Sequence, residues 1–192
     1  NGTGVNQDRV EAERLFTLAV NQGHPYAKFY LETIYNKGIT EKEGQVEAIV
    51  LYQLASEAHV AYAQYELGKI YANGTGAPKE AGEAARLFNL AADQGYAGAQ
   101  YELGKMYASG TGVLRDMKKA VSLYRLAADQ GYASAQCELG KMYANGTGGV
   151  QKDTGEAVHF YTLAANQQYA NAQYELGKIY SKGVGVKQDQ TE

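Results

Sequence analysis

Histidine and cysteine, the residues best suited to metal binding and nucleophilic catalysis, are sparse in this chain of 192 residues. The three histidines are His24, His59 and His159, and the single cysteine is Cys137. His24 and His59 fall in predicted turns and His159 on a predicted helix, so no two histidines have the spacing of a metal-ligand pair. No Ser, Cys or Lys has a plausible base beside it, although a catalytic triad can assemble from distant residues. We therefore expect no metal, no cofactor and no catalytic residue, and we interpret Cys137 as a half-buried packing residue.

Two short motifs could carry chemistry but also suit turns. Asn-Gly-Thr, the acceptor sequence for N-linked glycosylation, begins at Asn1, Asn73 and Asn145. Gly-Thr-Gly at 74–76, 110–112 and 146–148 has the composition of a phosphate loop. It lacks a preceding strand and the Gly-Lys-Ser/Thr ending that would hold phosphate and magnesium. Because Asn and Gly are the residues that a turn after a helix requires, we interpret both motifs as turns, with glycosylation as the open alternative for the first.

The elements that position these residues form an internal repeat. YELGKIY at 65–71 returns as YELGKMY at 101–107, CELGKMY at 137–143 and YELGKIY at 174–180, with a weaker copy, FYLETIY, at 29–35. The steps are 36, 36, 36 and 37 residues, a period typical of solenoids. The chain therefore predicts one solenoid domain over 1–192, cut from a longer protein. Its units are 1–36, 37–72, 73–108, 109–144 and 145–181, and residues 182–192 begin a sixth.

Each unit predicts a turn, a helix, a short turn and a second helix. In the unit 73–108 the first helix is expected from about Glu80 to Asp93, since apolar residues recur there with the period of one buried helical face. The second is expected from Ala97 to Ala108 on the same grounds. The predicted buried positions are Ala84, Leu87, Phe88 and Ala91 in the first helix and Ala99, Leu103, Met106 and Tyr107 in the second.

Two columns of the second helix have distinct predicted roles. Glycine recurs inside this helix, where it costs about 1 kcal/mol relative to alanine. We interpret its recurrence as a helix crossing that admits no side chain; its members are Gly68, Gly104, Gly140 and Gly177. Glu and Lys recur three residues apart on the predicted outer face, as solvated ion pairs worth a few tenths of a kcal/mol each. The pairs are Glu66 with Lys69, Glu102 with Lys105, Glu138 with Lys141 and Glu175 with Lys178.

Composition excludes several classes of protein. The chain has 18 basic and 21 acidic residues, a net charge of −3, whereas a general nucleic-acid binder needs a basic surface. No apolar run approaches the roughly 20 residues that span a membrane, so we expect neither nucleic-acid binding nor membrane insertion. One cysteine excludes an internal disulfide framework but does not determine the cellular compartment.

The pattern AxxLYxLAADQGYAxAQxELGKMYAxGTG at 120–148 resembles the Sel-one-like repeat family, an α/α relative of the tetratricopeptide repeat. The resemblance extends over essentially the whole chain. It implies an all-α, right-handed α/α superhelical solenoid of tandem antiparallel helix pairs. It also implies the usual role of the family as a protein-binding scaffold or adaptor, in bacterial signalling, host–pathogen contact or quality control in the endoplasmic reticulum.

The expected partner is another protein or a peptide segment, bound in a groove along the first helices. Beside the constant apolar columns these helices carry varied residues on the opposite side, as a binding surface would; unconstrained solvent positions would also vary. The predicted groove residues are Arg14, Thr17, Val50, Gln53, Arg86, Asn89, Ser122, Arg125, His159 and Thr162.

Two alternatives to a non-catalytic scaffold stay open. One is a structural or regulatory array attached to a catalytic domain outside this sequence. The other is an enzyme similar to the β-lactam-binding members of the family. Those members carry a disulfide in every repeat, which the single cysteine of this chain does not match.

Overall fold

The structure is a computed structural model that describes residues 59–183 and the isolated positions 15, 49, 50, 52, 53, 56 and 57. Within this part the chain forms seven helices of 13 residues each and no strand. They are α1 (Ala61–Asn73), α2 (Ala81–Asp93), α3 (Ala97–Ser109), α4 (Met117–Asp129), α5 (Ala133–Asn145), α6 (Thr154–Asn166) and α7 (Ala170–Lys182). The predicted all-α repeat array is confirmed, and both helices of the unit 73–108 begin and end within one residue of their predicted bounds.

The Gly-Thr-Gly segments end helices, as predicted. Gly74 follows α1 with a φ of 77°, in the left-handed region that glycine adopts without strain. Its N–H and that of Thr75 both donate to the carbonyl of Ile70, at 2.8 and 3.3 Å. The corresponding bonds recur after α3 and α5. At the ends of α1, α3 and α5 these bonds satisfy one of the last carbonyls of the helix, which gives the motif a structural role as a turn.

The connection from each second helix to the next first helix is anchored at its far end. The N–H of Asp116 donates to the carbonyl of Tyr107 at 2.9 Å, and Asp153 is bonded to Tyr143 in the same way. The carboxylate of Asp116 accepts from the N–H groups of Lys118 and Lys119, both at 3.0 Å, and so caps α4. Each connection thus has a fixed path and fixes where the next helix begins.

The core consists of the predicted apolar columns. Ala84, Leu87, Phe88 and Ala91 of α2, and Ala99, Leu103 and Met106 of α3, are all buried. Tyr107, which was predicted to be buried, is only half-buried, because one side of its ring lines surface cavities described below. Similar clusters form around α4 with α5 and around α6. The core of the described residues therefore consists of three neighbouring clusters that repeat along the array.

The glycine column accepts an aromatic ring from the next first helix. A Cβ added at Gly68, Gly104 or Gly140 would lie 2.7 Å from a ring atom of Phe88, Tyr124 or Tyr161, respectively. Such a distance is too short for real carbon atoms, so only glycine fits. The predicted close helix crossing is confirmed at these three positions. A Cβ at Gly177 would meet nothing within 4 Å among the described residues.

Buried glutamines join successive repeats, a feature that the sequence analysis missed. Gln100 is 3% exposed; its side-chain amide donates to the carbonyl of Ala92 at 3.3 Å, and its carbonyl oxygen accepts from Gln130 at 2.8 Å. Gln100 thereby joins the end of α2, the start of α3 and the end of α4. Equivalent pairs are Gln94 with Gln64 and Gln167 with Gln136, at 2.7 and 2.8 Å.

The Glu–Lys pairs of the second helices are confirmed. Their N–O distances are 2.9, 2.8, 2.7 and 2.8 Å from α1 to α7. Each lysine is roughly half-exposed, so the pairs contribute little to stability. In each pair the lysine neutralises the charge of the glutamate on this face of the array.

Candidate partner-binding surface

The structure describes eight of the ten predicted groove residues. Arg14 and Thr17 lie outside the described residues. Val50 is 47% exposed and Gln53 is half-buried. On α2, α4 and α6 the pattern of buried and exposed positions puts the predicted residues opposite the core. Of these, Arg86, Asn89, Ser122, Arg125 and His159 are exposed and Thr162 is half-buried.

Arg86 forms a local ion pair that the sequence analysis did not anticipate. Its Nε and Nη2 atoms donate to both carboxylate oxygens of Glu83, at 2.9 and 2.6 Å. These hydrogen bonds hold the pKa of the Glu83 carboxyl below its usual value. The geometry is bidentate, which fixes the guanidinium plane. Arg86 is therefore oriented along α2, and its charge is largely compensated before any partner arrives.

Arg125 occupies the position in α4 that Asn89 occupies in α2, and it contacts an aromatic ring instead of a carboxylate. Its Nη2 donates to the hydroxyl of Tyr143, and the guanidinium carbon lies 5.9 Å from the centroid of that ring. The contact joins α4 to α5 and combines a hydrogen bond with a cation–π interaction. Among the described residues Arg125 forms no salt bridge, so its positive charge stays available to a ligand.

A cavity of about 280 Å³ opens on this side between α2 and the connection that precedes α4. It brings together Arg86, Asn89 and Leu90 from α2, Tyr107 from α3 and Val113 from the connection. The amide of Asn89 donates to Asp93 at 3.0 Å, which fixes its orientation. The cavity thus combines an apolar floor with oriented polar groups, as binding pockets do. The predicted residues on α4 and α6 do not line it.

A column of leucines on the same side was missed by the sequence analysis. Leu126 and Leu163 are 52% and 37% exposed, and the equivalent Leu90 is half-buried beside the cavity. Each stands one residue after a predicted groove position, at the edge of the helical face. Its recurrence at the same place in LFNLAAD, LYRLAAD and FYTLAAN was the available signal. A regular apolar stripe beside polar side chains extends the candidate surface over three repeats.

The single cysteine is placed as a packing residue. Cys137 is fully buried, beyond the half-burial predicted for it, because Ala157, Tyr161 and Ala172 close over its small side chain. Burial raises the pKa of its thiol, so the thiolate that a nucleophile needs is disfavoured. His159 makes an edge contact with Phe160, with 5.3 Å between ring centroids.

Neither a metal site nor a membrane span appears within the described residues. No group of three or more His, Cys, Asp or Glu side chains is placed to hold a metal ion there. No helix in residues 59–183 is both long and apolar enough to cross a membrane.

Comparisons with solved structures place the fold among repeat proteins. The chain is similar to a Sel1 repeat protein from Oxalobacter formigenes, with 36% identity and a TM-score of 0.78 over 97% of this chain and 76% of that one. It is also similar to a protective antigen with an SLR fold, present in uropathogenic Escherichia coli strains. That match has 33% identity and a TM-score of 0.77 over 95% of this chain and 38% of that one. An immunity protein from Pseudomonas aeruginosa, with 24% identity and a TM-score of 0.60, shares the fold alone.

The comparison with protein families is equally extensive, whereas no curated protein sequence matches the chain. The model of the Sel1 repeat matches residues 1–24, 33–59, 61–96, 97–132, 133–169 and 170–192. The last four matches begin at the first residues of α1, α3, α5 and α7, so the family model divides the described part of the array in a different phase from the units defined above. Since these matches cover nearly the whole sequence, the chain belongs to the Sel1 repeat family.

Proposed function

We propose that this chain is a non-catalytic scaffold that binds a segment of another protein along the exposed side of its first helices. The observation that carries the proposal is the arrangement of α2, α4 and α6. Constant alanine columns and an aromatic column are buried on one side, and varied polar residues, most of them exposed, lie on the other. Surfaces of this kind are how solenoid repeats bind extended partners.

The chemistry of the surface suits a peptide. The leucine stripe of Leu90, Leu126 and Leu163 offers apolar contact at each repeat. Asn89 and Arg125, beside it, offer groups that can bond to a peptide backbone or to its polar side chains. In contrast, the outer face carries Glu–Lys pairs that neutralise one another. A partner would gain less there, since it would have to compete with existing ion pairs.

Selected peptides provide the test. Peptides would be selected from a random display library on the wild-type chain, and their affinities measured by fluorescence polarisation. We expect Asn89→Ala with Arg125→Ala to weaken the selected peptides about tenfold, the effect of losing roughly 1.4 kcal/mol at an interface. Arg86 is left unchanged, because its pairing with Glu83 also supports α2.

The control alters the outer face by Lys105→Ala with Lys141→Ala and should leave these affinities unchanged. If the outer-face variant loses binding while the first-helix variant retains it, the partner binds the second helices and the proposal is wrong. If the library yields no peptide at all, the alternative gains support that this array is structural and presents another domain.

A further inference from the structure

The start of α4 differs from the starts of the other first helices. Lys118 and Lys119 stand where α2 has Gly82 and Glu83 and where α6 has Gly155 and Glu156. Before them, Leu114 stands where the other connections have Pro78 and Gln151. The local charge is therefore more positive by three at this repeat, and an apolar side chain is added. Neither change is needed by the fold, since both neighbouring repeats fold without it.

The cations at this place are not neutralised by carboxylates. Arg115 donates its Nε–H to the carbonyl of Ala108 at 3.1 Å. The ammonium of Lys119 lies 5.1 Å from the centroid of the Tyr107 ring. Within residues 59–183, none of Arg115, Lys118 and Lys119 forms a salt bridge. Asp116, which lies among them, is used as the cap of α4. In a chain of net charge −3, this is a concentrated positive patch.

Two of these cations, Arg115 and Lys119, line an open cavity of about 540 Å³. Its walls are Tyr107, Val113, Leu114, Arg115, Asp116 and Lys119. This volume falls within the roughly 300–1,000 Å³ of ligand sites. Leu114 is 91% exposed, so covering it would remove almost a whole leucine side chain from water. The cavity shares Tyr107 and Val113 with the smaller cavity next to Arg86 and Asn89, and the two are therefore continuous surfaces of one repeat junction.

We propose that this cavity, which we call the α4 pocket, binds a short acidic peptide segment that also carries an apolar side chain. Carboxylates of the segment pair with Arg115 and Lys119. Its apolar side chain packs on Leu114, Val113 and the ring of Tyr107. The proposal goes beyond the scaffold function: it assigns a distinct pocket and the chemistry of its ligand, and it does not depend on the residues proposed to bind along α2, α4 and α6.

Charge and shape together favour a peptide over a nucleic acid. The two cations that line the pocket, Arg115 and Lys119, suit one or two carboxylates, whereas a phosphate backbone needs a basic stripe many residues long. The exposed leucine has no complement in a sugar–phosphate chain. An acidic segment next to an apolar residue satisfies both halves of the pocket, because unlike charges meet and the leucine is covered.

The probe for the test is a fluorescein-labelled, acetylated peptide of sequence Glu-Leu-Asp-Glu-Leu-Asp, measured by fluorescence polarisation against the full chain. A second peptide with lysine in place of each acid is the probe control. We expect the acidic peptide to bind and the lysine peptide not to bind. Binding should weaken as salt rises, because exposed ion pairs are screened.

Two pocket variants and two control variants of the chain complete the test. Lys118→Gly with Lys119→Glu copies the residues of α2 and α6, and Leu114→Gln copies Gln151, so each variant contains side chains that the fold already holds elsewhere. Each should weaken binding about tenfold or more. Lys152→Glu, at the position equivalent to Arg115 in the next connection, should leave binding unchanged, as should Asn89→Ala with Arg125→Ala.

Several results would overturn the proposal, and circular dichroism confirms that each variant is folded. The proposal is wrong if the acidic peptide does not bind or if the lysine peptide binds equally well. It is also wrong if Lys152→Glu weakens binding as much as the pocket variants do. A single-stranded RNA hexamer that binds more tightly than the peptide and depends on the same lysines would assign the pocket to nucleic acid instead. If Asn89→Ala with Arg125→Ala weakens peptide binding and Lys118→Gly with Lys119→Glu does not, the scaffold proposal stands and the proposal of the α4 pocket is wrong.

Discussion

At the scale of single residues, the contact between a helical glycine and an aromatic ring determines how closely successive repeats approach. Gly104 faces Tyr124, with 2.7 Å between a virtual Cβ and the ring, whereas Gly177 occupies the same column with nothing described within 4 Å. The same change at the two positions should therefore have opposite effects. We expect Gly104→Ala to lower the free energy of unfolding by about 1–3 kcal/mol, because the ring must move.

The matched control for that variant is Gly177→Ala. It should be neutral or stabilise by up to about 1 kcal/mol, since alanine is the better helix former and would meet no described atom within 4 Å. Denaturant unfolding followed by circular dichroism measures both values. Equal destabilisation at the two glycines would mean that the ring contact is not what excludes a side chain from this column.

Buried tyrosines predict a loss of stability at alkaline pH. Burial, the largest cause, raises the pKa of Tyr124 and of Tyr161 above the ordinary value near 10. Above about pH 10 the unfolded chain releases these protons while the folded chain keeps them, so stability falls as pH rises. Thermal midpoints should therefore decrease from about pH 10 upward.

Phenylalanine provides the control for this pH effect, since Phe88 already fills the same column in the preceding repeat. Tyr124→Phe with Tyr161→Phe should make the decrease shallower and leave the midpoint at pH 7 nearly unchanged. Parallel curves for the wild type and the double variant would assign the alkaline loss to other groups.

At the scale of helices, the glutamine pairs fix how the end of one helix meets the next repeat. Gln100 both donates to Ala92 and accepts from Gln130 while almost fully buried. Replacing it removes two hydrogen bonds and leaves the carbonyl of Ala92 without this donor. We expect Gln100→Leu to destabilise by about 1–3 kcal/mol in thermal or denaturant unfolding.

Gln173 is the matched control, since it occupies the equivalent position in α7 but is exposed and makes one longer bond, 3.4 Å to Ala165. Gln173→Leu should cost much less than Gln100→Leu. A double-mutant cycle of Gln100 with Gln130 should give a coupling of roughly 0.5 kcal/mol or more, as residues in one network do. A coupling energy of zero would show that the pair orients the helices without stabilising the fold.

The helices and their buried columns could be predicted from the sequence because the repeat multiplies the evidence. A position such as Ala84 is confirmed by its copies, and the breaker residues between copies locate each helix end. The glutamine pairs could not be found by helical period, since the two members of each pair are 30 or 31 residues apart. Arg86 was assigned correctly to an exposed side, but its pairing with Glu83 depends on a rotamer that sequence does not specify.

The candidate site was predictable only in outline. Helical spacing places Asn89 and Arg125 opposite the core, yet it does not indicate which of them lines a cavity. The α4 pocket depends on the path of the connection through Val113 and Leu114. Helical periodicity does not predict that path. The surface between repeats is shaped by the path of the connections and by side-chain orientation, and the repeat pattern specifies neither.

At the scale of the whole molecule, stability should be nearly additive along the array. Each described helix packs chiefly on the helices before and after it in the chain, and the most extensive contacts join a second helix to the first helix of the next repeat. Removing residues 145–192 takes away α6, α7 and the last residue of α5, and keeps all other residues of α1 to α5. We expect the shortened chain to stay helical and to unfold at a lower temperature, as a one-dimensional array does.

The reactivity of Cys137 tests whether α5 stays folded and becomes the exposed end of the shortened array. In the full chain it is buried beneath residues of α6 and α7, among them Ala157, Tyr161 and Ala172. Truncation at residue 144 uncovers it while α5 itself stays folded. A thiol reagent should therefore label the shortened chain rapidly and the full chain slowly, with helical circular dichroism retained per residue in both. If the shortened chain instead loses its helical signal, the last described repeat is required for the others to fold, and the array is one cooperative unit.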